Sequence, residues 1–181
     1  MNAMRPRNSV FSQVGGLHPK YSVFDLSYVK TMTADMGVLY PVMCDEVVPG
    51  DIFKIGNQMV LRFQPMLAPI LHEINAYVHY FFVPYRLLWD SWEDFITGGP
   101  QGNLTPSLPT WVGDDQTATV GTLWDYFGFQ TIPASSGLHT TPTAAPLVFP
   151  KRAYNLVWNE YYRDETLQAE VSLDSNALQL S

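Results

Sequence analysis

The chain contains one cysteine, few charged residues and no long apolar run, and each shortage excludes a class of protein. Cys44 has no second cysteine to pair with, so an internal disulfide framework is excluded and a reducing compartment is expected. No apolar run reaches the roughly 18 residues of a membrane-spanning helix, and the first 20 residues lack the apolar core of a secretory signal. Charged residues make up 15% of the 181 residues, against about a quarter in an average domain, whereas 46% are hydrophobic. Such a chain has much apolar surface to cover, either in its own core or against neighbouring subunits.

The usual catalytic and metal-binding patterns are also missing. Paired carboxylates such as Asp45–Glu46 are sequence neighbours, and adjacent side chains point away from each other on a strand or a helix. His72 and His79 are seven residues apart, which places them on opposite faces of a regular strand. No phosphate-binding loop, dinucleotide fingerprint or nucleophile elbow occurs. We therefore expect no enzyme activity, no cofactor and no metal site; a metal-dependent hydrolase that uses His72 or His79 is the enzyme alternative.

Positive charge is concentrated at the beginning of the sequence. Residues 1–30 carry a charge of +3, which leaves −10 for the remainder. A basic arm that contains Pro and Gly, placed before an acidic body, is typical of proteins that touch nucleic acid with a tail. Arg5, Arg7 and Lys20 are therefore candidate contacts to nucleic acid or to other subunits. Because these few positive charges can neutralise only a few phosphates, binding to nucleic acid would be weak and salt-sensitive. The alternative is that residues 1–30 are an ordinary flexible terminus.

Three segments in the first half of the chain show the alternation of apolar and polar residues that is typical of strands. They cover residues 38–44, 53–63 and 72–83, and turn residues such as Pro49–Gly50–Asp51 separate them. Each segment has one apolar face. The pattern predicts an antiparallel sheet in a sandwich or a barrel.

Helical periodicity is confined to three shorter segments. Helices are predicted over Tyr85–Ile96, Val120–Phe127 and Arg152–Tyr162, the first two followed by glycine. Residues 98–118 and 130–150 are Pro-rich loops that are longer than a compact domain usually carries. Insertions of loop and helix are therefore expected at 98–118 and 130–165.

Aromatic residues outside the predicted strands are candidates for subunit packing, because Trp and Tyr are enriched where surface is buried against another chain. Packing in the core of the chain itself is the alternative. The candidates are Trp89, Trp92, Trp111, Trp124, Trp158, Tyr161 and Tyr162.

Several longer stretches resemble one known family. They are residues 24–27 (FDLS), 41–51 (PVMCDEVVPGD), 61–63 (LRF), 78–89 (VHYFFVPYRLLW), 92–99 (WEDFITGG) and 152–164 (RAYNLVWNEYYRD). Together they resemble the amino-terminal part of the major capsid protein of the single-stranded-DNA microviruses, particularly the gokushovirus branch, from about residue 8 to about residue 167. The resemblance implies a viral jelly roll and a T=1 icosahedral shell of sixty subunits around circular single-stranded DNA. Members of the family are substantially longer, so the resemblance also implies a truncated chain without the carboxy-terminal strands. If the chain is truncated, we expect it to aggregate or to stay poorly folded when it is expressed alone.

These observations combine into one set of expectations. The fold is expected to be mainly β, a partial jelly-roll β-sandwich over residues 31–181 with long loop insertions and a few short helices, preceded by a flexible basic arm at 1–30. The function expected from the resemblance is that of a bacteriophage capsid protein in the virion, assembled in the host cytoplasm. Its partners would be further copies of itself, other virion proteins and, weakly, the packaged DNA. A small non-enzymatic β-rich binding module is the alternative; the long Pro-rich loops favour the capsid, because a monomer has little use for them.

Overall fold

The structure, a computed structural model, describes residues 20–69, 71–110, 120–128, 146–175 and 177–180. The chain divides into two units, Met1–Thr31 and Met32–Ser181. In the first unit, residues 20–31 have no regular secondary structure, and the Asp25 carboxylate accepts a hydrogen bond from the Ser27 backbone N–H at 3.0 Å. Hydrogen bonds from Ser27 lower the pKa of this carboxyl below its usual value. All contacts described below lie within the second unit.

Four short α-helices and one π-helical turn occur in the described residues. They are α1 (Tyr85–Leu88), α2 (Trp92–Thr97), α3 (Leu123–Tyr126) and α4 (Phe149–Val157), and α4 continues directly into the π-helical turn (Trp158–Tyr162). The three predicted helical segments are confirmed in position, but the first is divided at Trp89, whose backbone is extended at φ −155° and ψ 117°. The last begins earlier than predicted, at Phe149, because Pro150 fits the first helical turn, where the N–H that it lacks would have no partner.

A glycine-dependent turn follows α2. Gly98 ends the helix in the left-handed conformation at φ 80°, as its position after the apolar stripe predicts. Gly99 also has a positive φ of 72°, and a methyl group in its place would collide with the Leu104 side chain. Two backbone hydrogen bonds close the turn, from Gly102 N–H to the Gly99 carbonyl at 3.1 Å and from Leu104 N–H to the Gly98 carbonyl at 2.8 Å. The predicted loop at 98–118 therefore starts with a compact turn.

The expected mainly β fold is wrong. Strand pairing in the part of the chain that the structure describes is limited to two isolated antiparallel bridges, Val38–Leu180 and Thr110–Leu147, and no sheet forms there. Apart from the bridge at Val38, none of the three segments predicted as strands belongs to a strand. Alternation determines which side of a segment is apolar, but a strand also needs a neighbour that completes its backbone hydrogen bonds. The described residues supply no such neighbour, so the partial jelly-roll sandwich is not their architecture.

The buried core surrounds α4. Its apolar members are Leu88, Leu123, Trp124, Val148, Phe149, Tyr154 and Trp158. Helix α4 contacts α1 as well as the π-helical turn. Three further buried side chains of α4 and the π-helical turn are polar, namely Lys151, Asn155 and Asn159. Buried polar groups need hydrogen-bond partners, and these side chains find them in residues 171–180, which we call the strap.

Candidate assembly interface

Two asparagines bind the first half of the strap through its main chain. Asn159 Nδ2 donates to the Val171 carbonyl at 2.8 Å, and Asn159 Oδ1 accepts from the Val171 N–H at 3.0 Å. One helical turn earlier, Asn155 Nδ2 donates to the carbonyls of Leu173 at 3.0 Å and Ser175 at 2.9 Å. Asn155 and Asn159 are four residues apart, which places them on one helix face. They are 0% and 2% exposed, so these hydrogen bonds are shielded from water.

Tyr154 and Trp158 bind the second half of the strap. The Tyr154 hydroxyl accepts a hydrogen bond from the Gln179 N–H and donates one to the Leu39 carbonyl, both at 2.8 Å. Leu39 N–H in turn donates to the Gln179 carbonyl at 2.9 Å, and Trp158 Nε1 donates to the Leu180 carbonyl at 3.0 Å. Burial raises the pKa of Tyr154 to about 12, so its hydroxyl keeps its proton at any physiological pH. Tyr154 therefore joins α4, the strap and the segment around Leu39.

A charged group connects the strap to the beginning of α4. Arg152 binds both carboxylate oxygens of Asp174, through Nε at 2.9 Å and Nη2 at 3.2 Å, and its Nη1 donates to the Leu88 carbonyl at 2.9 Å. Lys151 Nζ donates to the Asp174 carbonyl at 2.9 Å and lies 5.6 Å from the centre of the Trp124 ring. The hydrogen bond from Arg152 lowers the pKa of Asp174. Desolvation lowers the pKa of Lys151, and the nearby Asp174 carboxylate opposes that shift.

An aromatic cluster, the helix cluster, fills the space between α1, α2 and α4. The Tyr85 ring centre lies 4.7 Å from that of Trp92 and 4.6 Å from that of Phe149. Phe95 lies 6.0 Å from Trp92 and 5.7 Å from Trp89. Ring pairs at these separations stabilise packing beyond their buried area. The cluster therefore holds the two short helices against α4.

A second aromatic cluster, the tyrosine cluster, forms where the π-helical turn meets the segment around residue 80. His79 and Tyr162 are stacked at 5.9 Å with an interplanar angle of 12°, and His79 Nδ1 and the Tyr162 hydroxyl share a hydrogen bond of 2.7 Å. Phe81 and Tyr161 meet edge to face at 5.0 Å. Desolvation and the adjacent Tyr161 hydroxyl raise the pKa of Tyr162. The wider π turn, closed from Arg163 N–H to the Trp158 carbonyl at 2.9 Å, presents both tyrosines to this segment.

The structure separates the predicted packing aromatics by exposure. Trp124 and Trp158 are 1% and 4% exposed, and they pack in the core of this chain. The half-buried members are Trp89, Trp92 and Tyr162. Tyr161 is 60% exposed and offers an aromatic surface that another polypeptide can cover. Contact with another subunit stays a prediction for all of them.

The remaining predicted site residues are divided between described and undescribed parts of the chain. Arg5, Arg7 and Trp111 lie outside the described residues, whereas Lys20 is described and exposed. Sequence reasoning missed Asn155 and Asn159. The available signal was the spacing of two asparagines within a predicted helix, where Asn is unfavourable unless its side chain has a specific partner.

Large apolar side chains are exposed along residues 51–63 and 77–82, which we call the apolar segments. Ile52, Val60 and Phe82 are 87%, 81% and 77% exposed. Other exposed members are Phe53, Ile55, Met59, Leu61, Phe63, Tyr77, Tyr80 and Phe81. Monomeric proteins rarely expose large contiguous apolar patches, and such patches mark interaction sites. The apolar segments are therefore a candidate for an interface.

Within the described ranges, no group of three or more His, Cys, Asp and Glu side chains could hold a metal ion. His79 belongs to the tyrosine cluster, where its Nδ1 is engaged by Tyr162. Cys44 is exposed, although desolvation by nearby protein atoms and the carboxylates of Asp45 and Glu46 raise the pKa of its thiol. Among the described residues, no helix has the length and apolarity needed to cross a membrane.

A small helical core that binds its own strap, joined to segments with exposed apolar side chains, is typical of the class of subunits that associate with other polypeptide. Comparison with known proteins identifies the family. The chain belongs to the phage capsid family described as "Capsid protein (F protein)", whose profile matches residues 12–180. The resemblance found in the sequence is thereby confirmed.

Three curated relatives are named capsid protein VP1. The chain is 39% identical to capsid protein VP1 of Chlamydia phage 1 over 166 residues, which cover 87% of this chain and 26% of the relative. It is 29% identical to capsid protein VP1 of Bdellovibrio phage phiMH2K, covering 90% of this chain and 30% of the relative. It is 26% identical to capsid protein VP1 of Spiroplasma virus 4, covering 96% and 30%. The chain thus spans between a quarter and a third of the length of these relatives, and no solved structure matches it.

Proposed function

We propose that the chain is a non-enzymatic structural component of the shell of a small icosahedral single-stranded-DNA phage. The observation that carries this proposal is the family match over residues 12–180, which includes the core, the strap and both aromatic clusters. The function is to pack against further copies of the same chain in a T=1 shell, in the virion.

The exposed apolar side chains support this role. Removal of one large apolar side chain from water contributes about 1.5–3 kcal/mol. Ile52, Val60 and Phe82 are each more than three-quarters exposed, and each would contribute in that range if a neighbouring copy covered it. A shell built from many copies repeats this contribution at every contact. The apolar segments are therefore the surface through which we expect the copies to associate.

The basic arm supports a secondary role. Arg5, Arg7 and Lys20 lie in a segment of charge +3 that precedes a body of charge −10. We propose that this segment contacts packaged single-stranded DNA or the acidic body of a neighbouring copy, and that other virion proteins join the shell. Because few charges are involved, DNA binding is weak, and its affinity falls with salt at a slope of about −0.7 per phosphate neutralised. Replacement of Arg5 and Arg7 by Gln should flatten the salt dependence of oligonucleotide binding.

The assembly test compares two substitutions of equal charge. The full chain is expressed with Phe82→Glu on an apolar segment or with Gln101→Glu at an exposed polar position outside both segments, and size-exclusion chromatography and electron microscopy measure the particles. Discrete rings or shells in the parent and in Gln101→Glu, but not in Phe82→Glu, support the proposal. A folded monomer in all three samples overturns it and favours the alternative of a small binding module.

A further inference from the structure

A groove of about 550 Å³ lies between α1, α2 and the turn that follows α2. Volumes of about 300–1,000 Å³ are usual for ligand-binding pockets. The apolar part of its lining consists of Pro84, Tyr85, Trp92, Ile96 and Pro100. The Tyr85 and Trp92 ring centres are 4.7 Å apart, and Ile96 is 61% exposed. The groove therefore offers aromatic rings and prolines to a ligand that enters from solvent.

Acidic side chains give the groove a negative charge. Glu93 and Asp94 belong to its lining, together with a single cation, Arg86. Among the described residues, no ion pair joins Arg86 to either carboxylate, so both carboxylates can accept hydrogen bonds from a ligand. Desolvation and the Glu46 carboxylate raise the pKa of Tyr85, which places a third acidic group beside an aromatic ring of the groove.

This lining has the chemistry that recognises arginine and proline together. Guanidinium groups bind over aromatic rings and form charge-assisted hydrogen bonds with carboxylates. Grooves lined by aromatic side chains bind proline-containing peptides. The sequence Arg5–Pro6–Arg7 in the basic arm combines the two, because its proline lies between two cations that match two carboxylates. Proline also restricts its own backbone and that of the preceding residue, which lowers the entropy lost on binding.

Net charge favours a second copy as the source of this segment. Residues 1–30 carry a charge of +3 and the remainder carries −10, so neighbouring bodies in a shell repel one another. An arm held on its own chain adds no attraction between copies. An arm that reaches the groove of a neighbour places positive charge against negative charge at the contact.

We propose that the groove between α1 and α2 binds the Arg5–Pro6–Arg7 segment of a second copy. The two guanidinium groups pair with Glu93 and Asp94, and the proline packs against the Trp92 ring. The proposal rests on the proposed function, because it names the surface of the acidic body that receives the arm of a neighbouring copy.

A labelled peptide of residues 1–12 tests the docking. The receptor is the full chain with Arg5→Gln and Arg7→Gln, so that its own arm does not compete, and fluorescence anisotropy measures the affinity. Addition of Glu93→Gln and Asp94→Asn to this receptor should weaken peptide binding about tenfold, the scale of two partly exposed ion pairs. A receptor that does not bind the peptide overturns the proposal.

A matched control separates the groove from the general negative charge of the body. Asp35→Asn with Glu73→Gln removes the same two charges at exposed positions outside the groove, and peptide binding should stay within about twofold. Equal weakening by the two pairs of substitutions overturns the proposal, because any acidic surface would then serve.

Charge reversal shows whether a loss of binding comes from charge or from misfolding. A receptor with Glu93→Lys and Asp94→Lys should bind a peptide that carries Arg5→Glu and Arg7→Glu more tightly than it binds the parent peptide. The reverse order of affinity contradicts the pairing of these four side chains.

Dilution distinguishes a second copy from the chain's own arm. If another copy supplies the arm, dilution of the parent chain empties the groove, and peptide affinity should rise to that of the Arg5→Gln, Arg7→Gln chain. A groove that stays blocked at every dilution holds the chain's own arm, which overturns the proposal.

Electron microscopy of the same samples separates this proposal from the proposed function. If particles form while the peptide shows no preference for the groove, the docking fails and the assembly proposal stands. If the peptide binds the groove as expected while the parent chain forms no particles, the docking stands and the assembly proposal fails.

Discussion

The interaction between Asn159 and the strap gives a quantitative prediction. Asn159→Ala removes two hydrogen bonds to Val171, of 2.8 and 3.0 Å, from a residue that is 2% exposed. A typical intramolecular hydrogen bond contributes about 0.5–1.5 kcal/mol net. The pair is therefore worth about 2 kcal/mol. Because about 1.4 kcal/mol corresponds to a tenfold change in an equilibrium constant, opening of the strap at Val171 should become about 30-fold more favourable.

Amide hydrogen exchange measures this opening at the site of the perturbation. The Val171 N–H loses its acceptor in Asn159→Ala, so peptides that cover residues 169–175 should exchange about 30-fold faster, whereas those from α1 should not change. Glu160→Ala, at the exposed neighbouring position of the same π-helical turn, is the matched control and should leave exchange within about twofold of the parent. Equal exchange in the two variants would refute the assignment of Asn159 as an anchor of the strap.

Three further predictions concern other contacts of the same unit. Arg152 holds the pKa of Asp174 below its usual value of 3.8. The stabilisation from this pair is therefore complete above pH 3.8 and is lost as the pH falls through the lower pKa of Asp174 in the folded chain. Acid should modestly increase hydrogen exchange in the strap, and Asp174→Asn should abolish that pH dependence. Gly99→Ala should lower the thermal midpoint more than Gly102→Ala, because both have positive φ but only at position 99 does the new methyl group meet another side chain. Trp124→Ala should cost about 3–5 kcal/mol, and an unchanged urea midpoint would contradict its place in the core.

The helices could be predicted because their signals are local. The apolar stripe over Tyr85–Ile96 and the glycines after it predict one helix that ends at Gly98; the structure confirms the helical region and its left-handed end, but divides it into α1 and α2. The break at Trp89 and the π-helical turn were not predicted; both lie where rings meet partners that are distant in sequence, Trp89 with Phe149 and Tyr162 with His79. Local propensity contains no information about such contacts.

Two features of the structure could not be predicted from the sequence: the contacts of the strap and the absence of strands in the alternating segments. Residues 171–180 show no periodicity, so nothing in them indicated that α4 would bind their main chain. Residues 51–63 show clear alternation, yet they form no strand, because alternation describes one segment and a sheet is a property of at least two. The contacts of α4 with the strap were therefore missed because they use backbone atoms, which every sequence carries. The β fold was wrongly predicted because an alternating segment forms a strand only when a second segment pairs with it.

Hydrogen bonding separates the chain into a part that is stabilised by its own contacts and a part that needs others. Around α4, Asn159, Tyr154 and Trp158 all place their polar atoms on backbone groups of this same chain, and buried groups paired in this way are stable without a partner subunit. The apolar segments present the opposite case: Val60 and Phe82 are largely exposed, and the described residues pair neither segment into a sheet. Their backbone groups can form hydrogen bonds with water, but the exposure of so much apolar side-chain surface to water is unfavourable. A capsid-family chain with this division should therefore fold first around α4 and acquire the remainder of its structure on contact with other polypeptide.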